Sequence, residues 1–153
     1  MAGADARGAE GERVTETRTV EKVLRIEAPP EIVWRYWTDP ARMAEWWGPA
    51  AELDARPGGS CTVEMGGGPV MRGEYVELEP FERLVFTFGW DPMPGAPDVP
   101  PGSTRVEVML AEQEGDTVLT LRHTGLPAAH ADEHHGGWGH FLAILAERAT
   151  AAA

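Results

Sequence analysis

The sequence has a single cysteine, Cys61, in 153 residues. No internal disulfide can form, so a reducing compartment, the cytoplasm, is the expected location, and the core alone has to hold the fold. No apolar run approaches the roughly 20 residues of a membrane span. The opening stretch MAGADARGAEGERVTE is small and polar where a signal peptide would be hydrophobic, so residues 1–16 read as a disordered tail. Basic residues are scarce as well: 13 Lys and Arg stand against 25 Asp and Glu, a net charge of −12. A general nucleic-acid binder needs a basic face for phosphates, so the charge argues against that class and against anchoring on anionic lipid. Neither a repeat nor a domain linker interrupts the chain, which leaves one domain over residues 17–150, long enough for a real core.

Present instead are alternating strands, turn residues and one long helix. Val20, Leu24 and Ile26 share a parity that predicts a half-buried strand, with Lys22 as the mismatch, stopped by Pro29 and Pro30. Glu31 to Thr38 predicts a short helix entered through Pro30. Asp39 caps a second, with Pro40 at its first position, which Gly48-Pro49 ends. From Ala51 the texture becomes strands and turns. Cys61, Val63 and Met65 alternate between the turns Pro57-Gly58-Gly59 and Gly66-Gly67-Gly68-Pro69. Val70 to Glu79 predicts a strand; Leu84, Phe86, Phe88 and Trp90 alternate strictly, as do Val106, Val108 and Leu110, and a further strand runs from Thr117 to His123. The proline-rich segment Asp91 to Ser103 is too long for a tight hairpin and long enough for a lid.

From about Ala131 to Ala149, Trp138, Phe141, Leu142, Leu145 and Ala149 recur at helical spacing, with His140, Ala143 and Glu147 on the opposite side. Gly136 and Gly137 precede Trp138; each weakens a helix by roughly 1 kcal/mol. The pair predicts either a close neighbour or a loose helix start that firms up at Trp138. Thr150 to Ala153 are expected to fray. Strand, two short helices, about six strands and a long helix make an α+β order, in which an antiparallel sheet curls around the last helix to bury its dry face.

Five segments, IEAPPEIVWRYWTDPARMAEWWGP (Ile26–Pro49), RPGGSCTVEM (Arg56–Met65), GEYVELEPFERLVFTFGW (Gly73–Trp90), LTLRHTGLP (Leu119–Pro127) and HHGGWGHFLAILA (His134–Ala146), closely resemble the SRPBCC superfamily, START/Bet v 1-like. Within it the match is to the branch named for the C-terminal domain of the activator of Hsp90 ATPase. The resemblance covers about Val20 to Ala149 and implies a helix-grip fold: a curved antiparallel sheet of about seven strands around the C-terminal helix, with a hydrophobic cavity between them. It implies no single activity, since similar proteins include lipid carriers, hormone receptors, polyketide cyclases and co-chaperone domains.

Candidate cavity walls are Met65, Met71, Tyr75, Phe86, Phe88, Trp90, Met109, Leu121, His123, Trp138, Phe141, Leu142 and Leu145. Apolar and aromatic groups with a few polar ones suit a small, mostly apolar ligand; the same residues also serve as plain core. For acid–base chemistry the candidates are His123 and Tyr75, with Glu64 or Glu74 behind them. His130 to His134 spells H-x-x-E-H, an inverted zinc-protease motif, but no third ligand is evident, so no metal or other cofactor is expected. Trp46 and Trp47 are expected to lock the two short helices onto the sheet, and Cys61 to be a buried, inert thiol. Three readings follow: a binder of a small hydrophobic molecule, a cavity enzyme of cyclase or hydrolase type, and an Hsp90-associated co-chaperone-like domain. The third is weakened by the chain's lack of room for the second domain of the eukaryotic activators. A homodimer is compatible with all three.

Overall fold

A computed structural model of the chain describes residues 16–153; the expected N-terminal tail thus lies almost entirely outside the described residues. Strand β1 (Thr17–Ile26) leads into α1 (Pro30–Thr38) and α2 (Pro40–Met43). Strands β2 (Ala50–Leu53), β3 (Ser60–Glu64), β4 (Val70–Glu79), β5 (Arg83–Phe88), β6 (Thr104–Gln113) and β7 (Asp116–Pro127) follow, and helix α3 (Ala128–Ala152) closes the chain. The strands form one antiparallel sheet in the order β1-β7-β6-β5-β4-β3-β2, curved around α3. The class is α+β, as expected.

The two short helices start where the sequence puts proline at a first helical position, and Asp39 caps α2 by accepting from the Ala41 N–H at 3.0 Å. At the β6–β7 hairpin Glu114 and Gly115 both take positive φ, 54° and 88°, the pattern of a two-residue turn whose twist matches that of its strands. Arg25 on β1 reaches across to Asp116 at this turn, at 3.0 Å. The edge strand β1 is bulged between Arg18 and Val20 and alternates buried and exposed residues, so only one of its faces meets the core.

Helix α3 has 25 residues, about 37 Å. It runs straight from the end of β7, and it continues to Ala152 where fraying was expected. Its buried stripe is Ala131, His134, Trp138, Leu142, Leu145 and Ala149. That extends the anticipated dry face two turns towards the N-terminus and takes in a histidine; Phe141 sits at its border, half-buried. Neither expected reason for the glycine pair holds. The helix does not start loosely at Trp138, and a Cβ at Gly136 or Gly137 would have no neighbour within 4 Å. Gly136 faces solvent and Gly137 faces a cleft.

Under the helix the core is aromatic. Trp37 is buried against Trp46 at 4.8 Å between ring centroids, and also meets Trp47, Phe86 and Trp138. Trp46 stacks on Trp47 at 5.3 Å and donates its Nε1–H to the Tyr36 carbonyl at 2.8 Å, so it holds α1 to the segment after α2. The Tyr36 hydroxyl donates to the Arg148 carbonyl, tying α1 to α3. No described helix is long and apolar enough to cross a membrane.

Candidate functional site

A cleft of about 230 Å³ opens between the N-terminal half of α3 and the ends of β3 and β5. Trp47, Phe88, His134 and Trp138 form its buried floor; Met65, Pro69, Trp90, Pro97, Gly137 and Phe141 are half-buried around its mouth, and Glu133 is exposed at the rim. The volume exceeds the roughly 150 Å³ that takes up benzene and falls short of the roughly 300–1,000 Å³ of drug-sized pockets. One or two fused rings would fit such a volume.

The walls come from elements that the sequence shapes locally. Trp47 is delivered by the turn after α2, where Gly48 lets the backbone pass β3: a Cβ there would stand 2.6 Å from the Glu64 carbonyl oxygen. Gly89 ends β5 so close to Pro100 that a Cβ would lie 1.9 Å from its carbonyl oxygen. The long loop is thereby pressed onto the sheet. Trp90 N–H donates to the Val99 carbonyl at 2.7 Å, Val99 is buried, and Arg72 grips Asp91 through two bonds of 2.8 Å. The loop anticipated as a lid is in these contacts a fixed wall, and contributes Pro97.

The Trp138 indole and the two imidazoles, His123 and His134, are all paired. The Trp138 indole N–H donates to His123 Nδ1 at 3.0 Å. Thr104 spends its one hydroxyl proton on the Phe88 carbonyl at 2.8 Å, so it accepts from His123 Nε2–H, also at 2.8 Å. His123 is thus neutral with its proton on Nε2. His134 is the opposite tautomer: Nε2 accepts from the Trp90 indole at 3.0 Å, and Nδ1–H donates to the His130 carbonyl at 2.7 Å. Burial, and then the adjacent His134, hold the His123 imidazole at about 3, well below the usual 6.5. Burial also lowers His134, against the opposing pull of its bond to the His130 carbonyl and of the Glu133 carboxylate.

Of the thirteen residues singled out in the sequence, five line the cleft: Met65, Phe88, Trp90, Trp138 and Phe141. His123 lies directly beneath, its ring 4.4 Å from that of Phe88. Met71, Tyr75, Phe86, Leu121, Leu142 and Leu145 are buried in the core and do not reach the cleft. Met109 has the parity opposite to Val106, Val108 and Leu110 and so lies on the sheet's outer face. Leu142 and Leu145, expected to face the cavity, are buried and line no part of this cleft, which sits nearer the helix N-terminus. Tyr75 donates its hydroxyl to the Trp37 carbonyl at 2.8 Å, and burial raises its pKa far above the usual phenol value. Glu64 and Glu74 are exposed and do not line it. Cys61 is fully buried, with burial pushing its thiol up to about 12.

Five wall residues escape the sequence reading: Trp47, Pro69, Pro97, Glu133 and Gly137. His134 and His135 flank the inner helical face in the sequence, which brings one of them to the pocket mouth, and His134 is the one that lines the cleft. A glycine on that same half-turn signals an indentation. Pro97 carries no periodic signal. The H-x-x-E-H residues do not converge on a common point: His130 Nδ1 meets Glu133 Oε1 at 2.7 Å, while both ring nitrogens of His134 are engaged elsewhere. Among the described residues no cluster of three His, Cys, Asp or Glu has metal-binding geometry.

Residues 27–150 match the family described as activator of Hsp90 ATPase homolog 1-like protein. No curated protein matches at a significant level. Among solved structures, an AHSA1-like protein from Rhizobium etli is 41% identical, with 88% of this chain and 83% of that one covered, at a TM-score of 0.70. DynU16, a protein of the dynemicin biosynthetic locus, is 27% identical over 84% of this chain at a TM-score of 0.72; the match spans 46% of that protein. The Aha1 dimer from Colwellia psychrerythraea, 17% identical with 85% and 94% covered, shares the fold at a TM-score of 0.72. With the family match spanning both short helices, the whole cleft and all but the end of the C-terminal helix, this chain belongs to the activator of Hsp90 ATPase homolog 1-like family and has its helix-grip fold.

Proposed function

We propose that the protein binds a small, mostly apolar molecule in the cleft at the N-terminal half of α3. The observation that carries the reading is an open aromatic cleft whose buried imidazoles are fully paired. A general base needs a free lone pair within reach of the substrate. On His123 and His134 that lone pair is taken by an indole N–H. The Tyr75 hydroxyl is bonded to backbone and lies outside the cleft. In this arrangement neither His123 nor Tyr75 offers a free base to the cleft, whereas binding needs only the walls. The likeness to DynU16, from a biosynthetic locus, supports a small organic molecule as the partner, whether bound or turned over.

The test is a titration with the uncharged fluorophore N-phenyl-1-naphthylamine. Saturable one-to-one binding at micromolar concentration, about −8 kcal/mol, is the expected result. Binding should disappear in Gly137→Leu, whose side chain would project into the cleft, with the fold retained by circular dichroism. A wild type that shows no saturable binding overturns the reading.

A further inference from the structure

We infer that the cleft selects organic cations: a compact aromatic ring held between the indoles, with a protonated amine at the mouth beside Glu133. The inference rests on the binding reading above and adds the charge of the ligand.

The first observation is what borders the cleft. Its walls come from residues 65–69, 88–97 and 133–141, together with Trp47. Across those three segments there is no lysine and no arginine, while Asp91 and Glu133 lie within them. Of the cations among the described residues, Arg72 is neutralised by its two bonds to Asp91, and Lys22 contacts His135 at 3.3 Å on the β1 side of the helix. An anionic ligand would find no lysine or arginine among the lining residues.

The second observation is what the walls offer. Trp47, Phe88, Trp90, Trp138 and Phe141 present aromatic groups around one small volume. Faces of aromatic rings carry negative electrostatic potential and attract cations, most strongly when water is excluded. The two imidazoles near the floor are neutral and fully bonded, so they add no positive charge. At the rim Glu133 Oε1 is bonded to His130, and Oε2 makes no hydrogen bond among the described residues. That oxygen can receive an ammonium, and it does so next to the apolar floor that would take the ring.

Three isosteric compounds separate charge from size: 1-naphthylmethylamine, 1-naphthylmethanol and 1-naphthoic acid, measured by calorimetry at pH 7. The amine should bind about five- to thirtyfold more tightly than the alcohol, the range for a cation over aromatic faces plus a half-screened carboxylate. The acid should be the weakest. Glu133→Gln should cut the ratio of amine to alcohol several-fold and leave the alcohol unchanged, and 1 M salt should shrink the ratio in the wild type. Equal binding of amine and alcohol, or tightest binding of the acid, overturns the charge inference while leaving an apolar binding cleft in place. If none of the three binds, and N-phenyl-1-naphthylamine does not either, the binding reading falls and this inference with it.

Discussion

At the scale of single residues, the floor of the cleft makes the protein sensitive to acid. Each buried imidazole accepts a proton-bearing indole nitrogen, so protonation would set two N–H groups against each other in a dry site. The sign follows from linkage: the folded pKa of His123, about 3, lies below the unfolded value of 6.5. Its contribution is complete above pH 6.5 and is lost as pH falls from there towards 3, because the unfolded chain then binds the extra proton. Between pH 7.5 and pH 5.0 the loss should be about 2 kcal/mol from this residue, at 1.4 kcal/mol per unit, and His134 acts in the same direction. Urea midpoints at the two pH values measure it. His123→Gln, which can accept from Trp138 and donate to Thr104, should flatten the dependence, and a wild type equally stable at both values would contradict the account. Trp46 is a residue of another kind, legible in the sequence as structural and found 2% exposed with its indole bonded to Tyr36. Trp46→Ala should cost about 3–5 kcal/mol in chemical denaturation, the range for removing a buried large aromatic; a variant that melts with the wild type would contradict this.

At the scale of elements, helix α3 divides into a half that bounds open volume and a half that is packed. Gly137→Leu and Leu142→Trp test that division. Glycine inside a helix costs up to about 1 kcal/mol relative to alanine, and leucine is nearly as good a helix former as alanine. A Cβ at 137 meets nothing within 4 Å. Gly137→Leu should thus melt at or above the wild-type temperature while losing probe binding. Leu142, 2% exposed and away from the cleft, has no room to grow. Leu142→Trp should cost about 1–3 kcal/mol by overpacking, and a Leu142→Trp protein as stable as wild type would put the cavity back beneath the middle of the helix. The strands were legible because one-sided burial imposes strict alternation, as along Val106, Val108 and Leu110. So were the short helices, through Pro30, Asp39 and Pro40. The length of α3 was not, since Ala128 to Glu133 are alanines and polar residues with no amphipathic signal, placed in the helix by its direct continuation from β7. The cleft was legible only in part, because a cleft is a volume left over between elements. Periodicity tells which side of a strand is inside, but whether Leu142 or Gly137 faces a gap depends on what comes opposite, and Pro97 arrives there from a loop with no pattern.

At the scale of the whole molecule, the charge of −12 sets competing effects against each other. Arg25, Arg42, Arg56, Arg72, Arg83 and Arg122 each pair with at least one carboxylate. Most of those pairs are well exposed, where such contacts contribute about 0–1 kcal/mol each and weaken with salt. Against them stands the mutual repulsion of the surplus carboxylates, which destabilises a compact state and is also screened by salt. The surplus wins this comparison, since acids outnumber bases almost two to one and the repulsion is summed over all of them. Raising sodium chloride from about 10 mM to 200 mM shortens the screening length from roughly 30 Å to under 10 Å, so that it no longer spans the domain. Stability should rise by about 1 kcal/mol, seen as an increase of roughly 3 °C in melting temperature for a domain of this size. A fall over the same range would mean that the arginine pairs, chiefly Arg72–Asp91 and Arg83–Glu107, outweigh the repulsion. The same salt change should weaken an amine held at the mouth of the cleft, so stabilisation of the free protein alongside loss of amine affinity would separate the general field from the local carboxylate.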